Sequence, residues 1–363
     1  MTKVHAALLG IEHPHSLAHM RTLQALPEVE AIYLWDENQQ ALDAAVQAQG
    51  AKVVATYTDL DELLANKEIF FVIAAVRNDL GPDLFIRTLQ AGKHLMAEKP
   101  IGRTAADTEQ VIAVAKAAGL KLGVCYQNRN NPVVQEARRL VQQGAIGQLM
   151  SIEFRMLTTQ VQFRNPHHWL FDHAKSGGGI LSWLGCHYLD LMRYISGDEI
   201  VAVSAEVATR SGEAIDVEDV ATLSLRFRSG AIGSFHAGYT LALSGGGYHN
   251  SSGYDTYAGF NGRGGRIYWS SPSSPTRLSL ESTHPDHSSA PWYNSDYTLA
   301  TSPAYGGVAG EEFIRRFLGA AQGDGEPMAG GNDALQIARI VDAAYESSRS
   351  GRRVEIAVGN AST

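Results

Sequence analysis

A short polar turn, Gly10-Ile11-Glu12-His13-Pro14-His15, separates a strand-like run, Val4–Leu9, from a helical stretch, Ser16–Ala25. A strand, a glycine turn and a helix start bring backbone N–H groups and the positive end of a helix dipole to where a dinucleotide pyrophosphate binds. Only the first glycine of a G-x-G-x-x-G pattern is present, and Glu12 stands where backbone and phosphate would approach closely. An ordinary βα turn explains that motif alone equally well. Asp36 changes the balance. It lies 26 residues after Gly10, at the end of the second strand-like run, where a carboxylate accepts hydrogen bonds from the adenosine ribose. Glu37, Asn38 and Gln39 follow it; with no Lys or Arg to receive a 2′-phosphate, NAD is expected rather than NADP. Asp36 would serve equally as the cap of the next helix. His13, His15, His167, His168 and His173 raise the question of a metal. None has the spacing of a zinc motif, and Cys125 and Cys186 lie far apart, so no metal is expected.

The elements around these residues alternate. Glu30–Trp35, Lys52–Tyr57, Ile69–Ala75, His94–Ala97 and Lys121–Val124 read as strands. Helical patterns over Gln39–Gln49, Asp59–Ala65, Pro82–Ala91 and Ala105–Ala118 separate them. Near-continuous apolar strands alternating with helices imply a parallel sheet covered on both faces. After a helix at Val133–Gln143 the strands lengthen and alternate: Leu149–Met156, Ala202–Thr209, Asp219–Arg226 and Gly233–Tyr239. An apolar helix, Ile180–Ile195, interrupts them, and helices at Ala309–Ala321 and Asp333–Arg349 close the chain. Residues 244–306 are rich in Gly, Ser, Tyr, His and Asn, with strand signal thinnest between 270 and 300. A loop that long would be functional.

Composition narrows the function. The 363 residues suggest two domains, expected as a dinucleotide-binding domain over 1–124 and a second α/β domain over 125–363, with its last helix expected to return to the first. A net charge of -8 argues against a nucleic-acid binder. No run is long enough to span a membrane, the first residues lack a signal-peptide pattern, and two cysteines suit a reducing compartment, so a cytoplasmic enzyme is expected.

The segment Ala91-Gly92-Lys93-His94-Leu95-Met96-Ala97-Glu98-Lys99-Pro100 resembles the A-G-K-H-x-x-x-E-K-P signature of the Gfo/Idh/MocA oxidoreductases. The likeness continues through Gly177-Gly178-Gly179, Gly185, His187 and Asp190, then Val217-Glu218-Asp219, and more weakly Ser350–Val354. It implies an N-terminal Rossmann domain, a C-terminal α/β domain with a large, mostly antiparallel sheet, NAD as cofactor, and a homodimer or homotetramer. The implied roles put Lys99 on the reacting hydroxyl and make His187 the proton carrier. The chemistry agrees: hydride leaves a carbinol carbon as its O–H proton is removed, a neutral histidine suits that task, and an ammonium stabilises the developing alkoxide. The implied cofactor set is Gly10, Glu12, His13, His15, Asp36, Ala75, Val76, Arg77, Asn78, Glu98, Lys99 and Gln127. The implied substrate set is Lys99, Tyr126, Asn128, Arg129, Arg164, His168, Trp169, Trp183 and His187.

One departure stands out. Four residues before His187 the family usually has Asp, and this chain has Trp183. Asp would orient the imidazole and Trp cannot; Trp183 would offer a ring for a sugar to stack on, or pack in the core. Arg129 and Arg164 would recognise an anionic group or form ordinary ion pairs. Gly245–Gly247 and Tyr248–Tyr257 would add a wall to the site. The leading expectation is therefore an NAD-dependent oxidoreductase acting on a ring secondary hydroxyl of a sugar, cyclitol or glycoside. The alternative is an NAD-dependent glycoside hydrolase working by transient C3 oxidation, elimination, water addition and re-reduction, on an anionic glycoside such as a sulfoquinovoside.

Overall fold

A computed structural model describes residues 2–242, 253–272 and 274–357. Of the wall segment expected from residues 245–257, Gly245–Gly247 and residues 248–252 lie outside the described residues. The chain divides into two compact units, Met1–Asn130 with Leu299–Leu335, and Asn131–Thr298 with Gln336–Thr363. The first unit thus ends its leading segment at 130, beyond the boundary expected at 124, and also takes in residues 299–335.

The first unit alternates β1 (Val4–Leu9), α1 (Ser16–Ala25), β2 (Val29–Trp35), α2 (Gln39–Gln49), β3 (Val53–Tyr57), α3 (Leu60–Ala65), β4 (Ile69–Ala74), α4 (Gly81–Gln90), β5 (His94–Ala97), α5 (Ala105–Ala118) and β6 (Leu122–Val124). All strand pairings in this sheet are parallel, in the order β3-β2-β1-β4-β5-β6. β1 and β4 are buried over nearly their whole length, because helices cover both faces. Local chemistry sets the helix ends. Asn38 caps α2 and Asp59 caps α3; α5 opens on a Thr104/Asp107 capping box and stops at Gly119, whose φ of 66° suits a glycine.

The second unit begins with α6 (Pro132–Gln142). Its nine-stranded sheet has the order β14-β13-β12-β11-β7-β10-β9-β8-β15. These strands are β7 (Leu149–Thr159), β8 (Ile200–Ala208), β9 (Val220–Phe227), β10 (Ile232–Leu241), β11 (Tyr254–Gly262), β12 (Gly265–Ser271), β13 (Arg277–Ser282), β14 (Trp292–Asp296) and β15 (Val354–Glu355). Among the described strands of this sheet, only β7 with β10 pairs in parallel. Phe154, Phe260 and Trp269 meet on the inner face, and Tyr188 brings α8 (Cys186–Ser196) onto it against Phe154 and Phe235. The short α7 (His173–Ser176) precedes the glycine triplet, while α9 (Gly307–Ala321) lies in the first unit and α10 (Gly331–Ser350) runs from the first into the second.

Residues 244–306 are not one long loop, since β11 to β14 occupy much of them. The miss has a physical cause. β14 is the edge strand beyond β13, and it alternates exposed with half-buried positions. Its order comes from ladder bonds and the Arg277–Asp296 pair rather than an apolar stripe.

Candidate active site

In the first unit the expected cofactor residues gather at the carboxyl ends of β1, β2, β4, β5 and β6, the end of a parallel sheet where ligands bind. Gly10 has φ +83°, and a Cβ there would lie 2.1 Å from the Ala75 carbonyl oxygen. Only glycine lets the turn lie this close to the end of β4. Asp36 Oδ2 accepts the N–H of Ile11 at 2.6 Å and of Glu12 at 3.2 Å, while Oδ1 accepts that of Asn38 at 2.9 Å. Asn38, not Asp36, caps α2. Glu12 is exposed and accepts from Asn38. Ala75, Val76 and Asn78 are buried directly after β4, and Arg77 turns to Asp79 at 2.7 Å. Gln127 opens the turn of helix after β6. This end of the sheet fits a dinucleotide: a glycine approach, a helix N-terminus and a carboxylate at the end of β2.

Glu98 and Lys99 follow β5, and Lys99 is 1% exposed. Glu98 Oε1 lies 3.1 Å from His15 Nδ1 and 2.6 Å from His19 Nε2, and Oε2 accepts the Lys99 N–H at 3.1 Å. Burial alone would raise the Glu98 carboxyl, but the two histidines hold it well below the usual carboxylate range. Tyr305, absent from the sequence reading, brings its hydroxyl 3.2 Å from His15 Nδ1 and its ring edge-on to His19. It arrives from the return segment at 299–306, which carries no local motif.

His19, Glu98 and Cys125 offer ligand atoms within 4.8 Å of one another. Burial and the Glu98 charge push the Cys125 thiol well up, and His19 already bonds Glu98. His19 and Glu98 are hydrogen-bonded to each other, and the Cys125 thiol beside them is held neutral by burial.

These histidines couple stability to pH. Burial, then the charge of neighbouring His15, holds His13 well below the ordinary 6.5, and burial lowers His15 against the pull of Glu98. Half-buried His94 and His168 are lowered in the same way. Below pH 6.5 the unfolded chain binds protons that the native chain refuses, so stability falls as pH falls, by up to about 1.4 kcal/mol per pH unit for each fully buried histidine. Glu218, raised by burial, works in the opposite sense above its ordinary value, one group against four. Thermal melts between pH 7.5 and 5.5 should lose about 4 °C or more; a flat profile would mean that the buried pair is not neutral.

In the second unit, His187 lies in the first turn of α8 and is 9% exposed. A π-helical turn, Leu181–Gly185, precedes it, so the helix expected over Ile180–Ile195 is wider at its start. Glu218 caps this start. Its Oε2 accepts the Gly179 N–H at 2.8 Å, its Oε1 the Leu181 N–H at 2.9 Å, and its carbonyl the Ile180 N–H at 3.1 Å. A Cβ on Gly179 would sit 1.9 Å from the Glu218 carbonyl oxygen, and one on Gly178 2.0 Å from the Tyr345 hydroxyl. The glycine triplet is therefore a packing requirement.

Residues 5–126 match the family model described as "Oxidoreductase family, NAD-binding Rossmann fold", and residues 134–251 match "GFO/IDH/MocA C-terminal domain". The chain belongs to the Gfo/Idh/MocA oxidoreductases. Its first unit is an NAD-binding Rossmann domain. Among curated relatives, D-apiose dehydrogenase of Paraburkholderia graminis is 26% identical over 93% of this chain and 86% of that protein. Inositol 2-dehydrogenase of Rhizobium meliloti is 26% identical over 93% and 95%. Levoglucosan dehydrogenase of Pseudarthrobacter phenanthrenivorans is 28% identical over 50% of this chain and 52% of that protein, so that match spans about half of each. The crystal structure of an oxidoreductase domain protein from Kribbella flavida shares the fold, with a TM-score of 0.88, 24% identity, and 98% of this chain and 100% of that chain covered.

Against the Gfo/Idh/MocA pattern, the substrate-side expectations divide. Trp183 is only 1% exposed and meets Trp169 edge to face at 5.7 Å. It packs in the core, so it is no stacking platform; Trp169, half-buried beside His168, keeps more of its surface. Arg129 is buried and committed to the Met328 carbonyl at 2.6 Å and Asp333 at 2.8 Å; it clamps the first unit instead of reaching for an anion. Arg164 donates to the Thr159 carbonyl and the Thr158 hydroxyl, and its guanidinium lies over the Tyr239 ring at 4.9 Å. His168 caps the turn at Trp169–Phe171. Tyr126 is buried and Asn128 half-buried after β6. Among the described residues, no helix is long and apolar enough to cross a membrane.

Proposed function

We propose that this chain is an NAD-dependent dehydrogenase of a ring secondary hydroxyl in a sugar or cyclitol. The observation that carries the reading is Lys99, a buried lysine at the carboxyl end of β5 whose backbone N–H is held by an ionised Glu98 at the nucleotide end of the sheet. Bound NAD supplies the hydride acceptor. The Lys99 ammonium stabilises the substrate oxygen as it loses its proton. The His187 imidazole takes that proton. Glu98, tied to His15 and His19, fixes the backbone at Lys99, so the ammonium needs little reorganisation as charge develops. Asp36 takes the adenosine ribose, and Gly10 admits the cofactor close to the strand end.

The naming of levoglucosan, D-apiose and inositol dehydrogenases among the relatives supports a polyol or sugar substrate. The hydrolytic reading loses much of its support, since Trp183 is buried and Arg129 is committed to Asp333. Purified protein with NAD and levoglucosan, D-apiose, myo-inositol and chromogenic glycosides tests the choice. Stoichiometric NADH from a free polyol supports dehydrogenation; aglycone release without net NADH overturns it in favour of hydrolysis. We also propose that the sheet of the second unit joins copies of the chain in the cytoplasm, since β9 leaves Thr222, Ser224 and Arg226 exposed on one face.

Asp36→Ala should weaken NADH binding about 10- to 100-fold, the scale of losing charge-assisted hydrogen bonds. The Ile11 and Glu12 amides would lose their acceptor together with the ribose. Fluorescence titration of NADH reads this directly, and an unchanged Kd would put the ribose contact elsewhere.

A further inference from the structure

The turn that should cradle the pyrophosphate is already bonded to itself. The N–H groups of Ile11 and Glu12 go to Asp36, that of His15 to His13 Nδ1 at 3.2 Å, and that of Ser16 to the His13 carbonyl at 3.0 Å. Pro14 has no N–H. In a G-x-G-x-x-G turn, amides at these positions face phosphate, and the second glycine lets the backbone approach it. Here Glu12 and His15 stand at the second and third glycine positions, and imidazoles cluster at the start of α1. The rings of His13 and His15 meet edge to face at 5.1 Å, both buried. Because His13 Nδ1 accepts the His15 amide, its neutral ring carries the proton on Nε2 and is a donor there.

We propose that His13 Nε2–H, backed by His15, receives the cofactor pyrophosphate in place of glycine-turn amides, and that His13 takes up a proton as the dinucleotide binds. The inference rests on the assignment of NAD to this end of the sheet. The groups facing the pair are known: Glu98 favours the imidazolium, whereas Lys99 and His19 oppose it. Asp36 faces the same turn from β2, and the Tyr305 hydroxyl faces His15 from the segment before α9. Without ligand the balance leaves His13 neutral, chiefly through burial. Two pyrophosphate charges reverse it by ordinary linkage: whatever binds the protonated form better draws a proton with it.

The affinity of NADH should therefore rise as pH falls, by at most about tenfold per pH unit for one proton and at least about fivefold between pH 8 and pH 6. ADP-ribose, which keeps the pyrophosphate, should show the same slope, and adenosine, which lacks it, none. His13→Gln keeps a donor that does not titrate. It should hold the pH 8 Kd within about threefold and abolish the slope, while His13→Ala weakens binding at every pH. Thermal melts of each variant exclude unfolding as the cause. A Kd for NADH that is flat with pH in the parent protein, or an undiminished slope in His13→Gln, would overturn the proposal while leaving the NAD assignment intact. No NADH binding at any pH would overturn both.

Discussion

Lys99→Met should lower kcat by about a thousandfold while NADH affinity changes less than about threefold. The expected size comes from adding two kinds of loss. A preorganised donor aimed at developing oxyanion charge contributes about 10²–10³ in rate, and misplacement of the proton-transfer partner adds to it. Methionine fills the space of a side chain that is almost wholly buried, so a cavity does not confuse the result. The electrostatic side effect has a known sign: the Lys99 charge depresses both His13 and His15, so its removal lets both pKa values rise. The acid loss of stability should then shrink in Lys99→Met, because the native histidines accept protons more readily. Turnover is read on the best polyol of the panel and affinity by NADH fluorescence. A kcat within tenfold of the parent would remove Lys99 from the chemistry, and a large loss of NADH affinity would make it a cofactor anchor instead.

The sequence carried much of this arrangement because its strongest signals are local. Gly10 and Asp36 lie at the ends of apolar strands whose burial on both faces makes them easy to read, and the structure puts both at the turn after β1. Glu98-Lys99-Pro100 is one contiguous motif after β5. The failures are of the opposite kind, set by contacts distant in sequence. Tyr305 reaches His15 from 290 positions away, and nothing around it distinguishes it from other tyrosines of that region. Arg129 looked able to bind an anion because its partner, Asp333, is 204 residues on. Trp183 was ambiguous between a sugar platform and a core residue until the edge-to-face contact with Trp169 decided it. β14 lacks an apolar stripe because an edge strand buries little.

Glu218→Ala should cost about 3–5 kcal/mol of stability, more than any other single substitution considered for the second unit. The carboxylate accepts three buried donors, the Gly179 and Leu181 amides and the Tyr345 hydroxyl at 2.9 Å. Each donor left without an acceptor costs about 1–3 kcal/mol, and entry of a water would recover part of the sum. The damage falls on one place, the start of the π-helical turn that leads into α8 and His187, so kcat should drop with stability. Glu218→Gln retains one carbonyl oxygen but turns an NH₂ toward a backbone donor, and should cost about half as much. Tyr345→Phe removes one donor and leaves the carboxylate its two amides, a loss of about 1 kcal/mol. The burial that raises Glu218 adds a pH signature: the parent is penalised as pH rises above the ordinary carboxylate value, and Glu218→Gln is not, so its deficit should narrow toward neutral pH. Denaturant unfolding of the three variants at pH 5 and pH 7.5 reads both the ranking and the narrowing. If Ala costs no more than Phe at 345, the cap is not what holds this helix, and the glycine triplet alone must set its start.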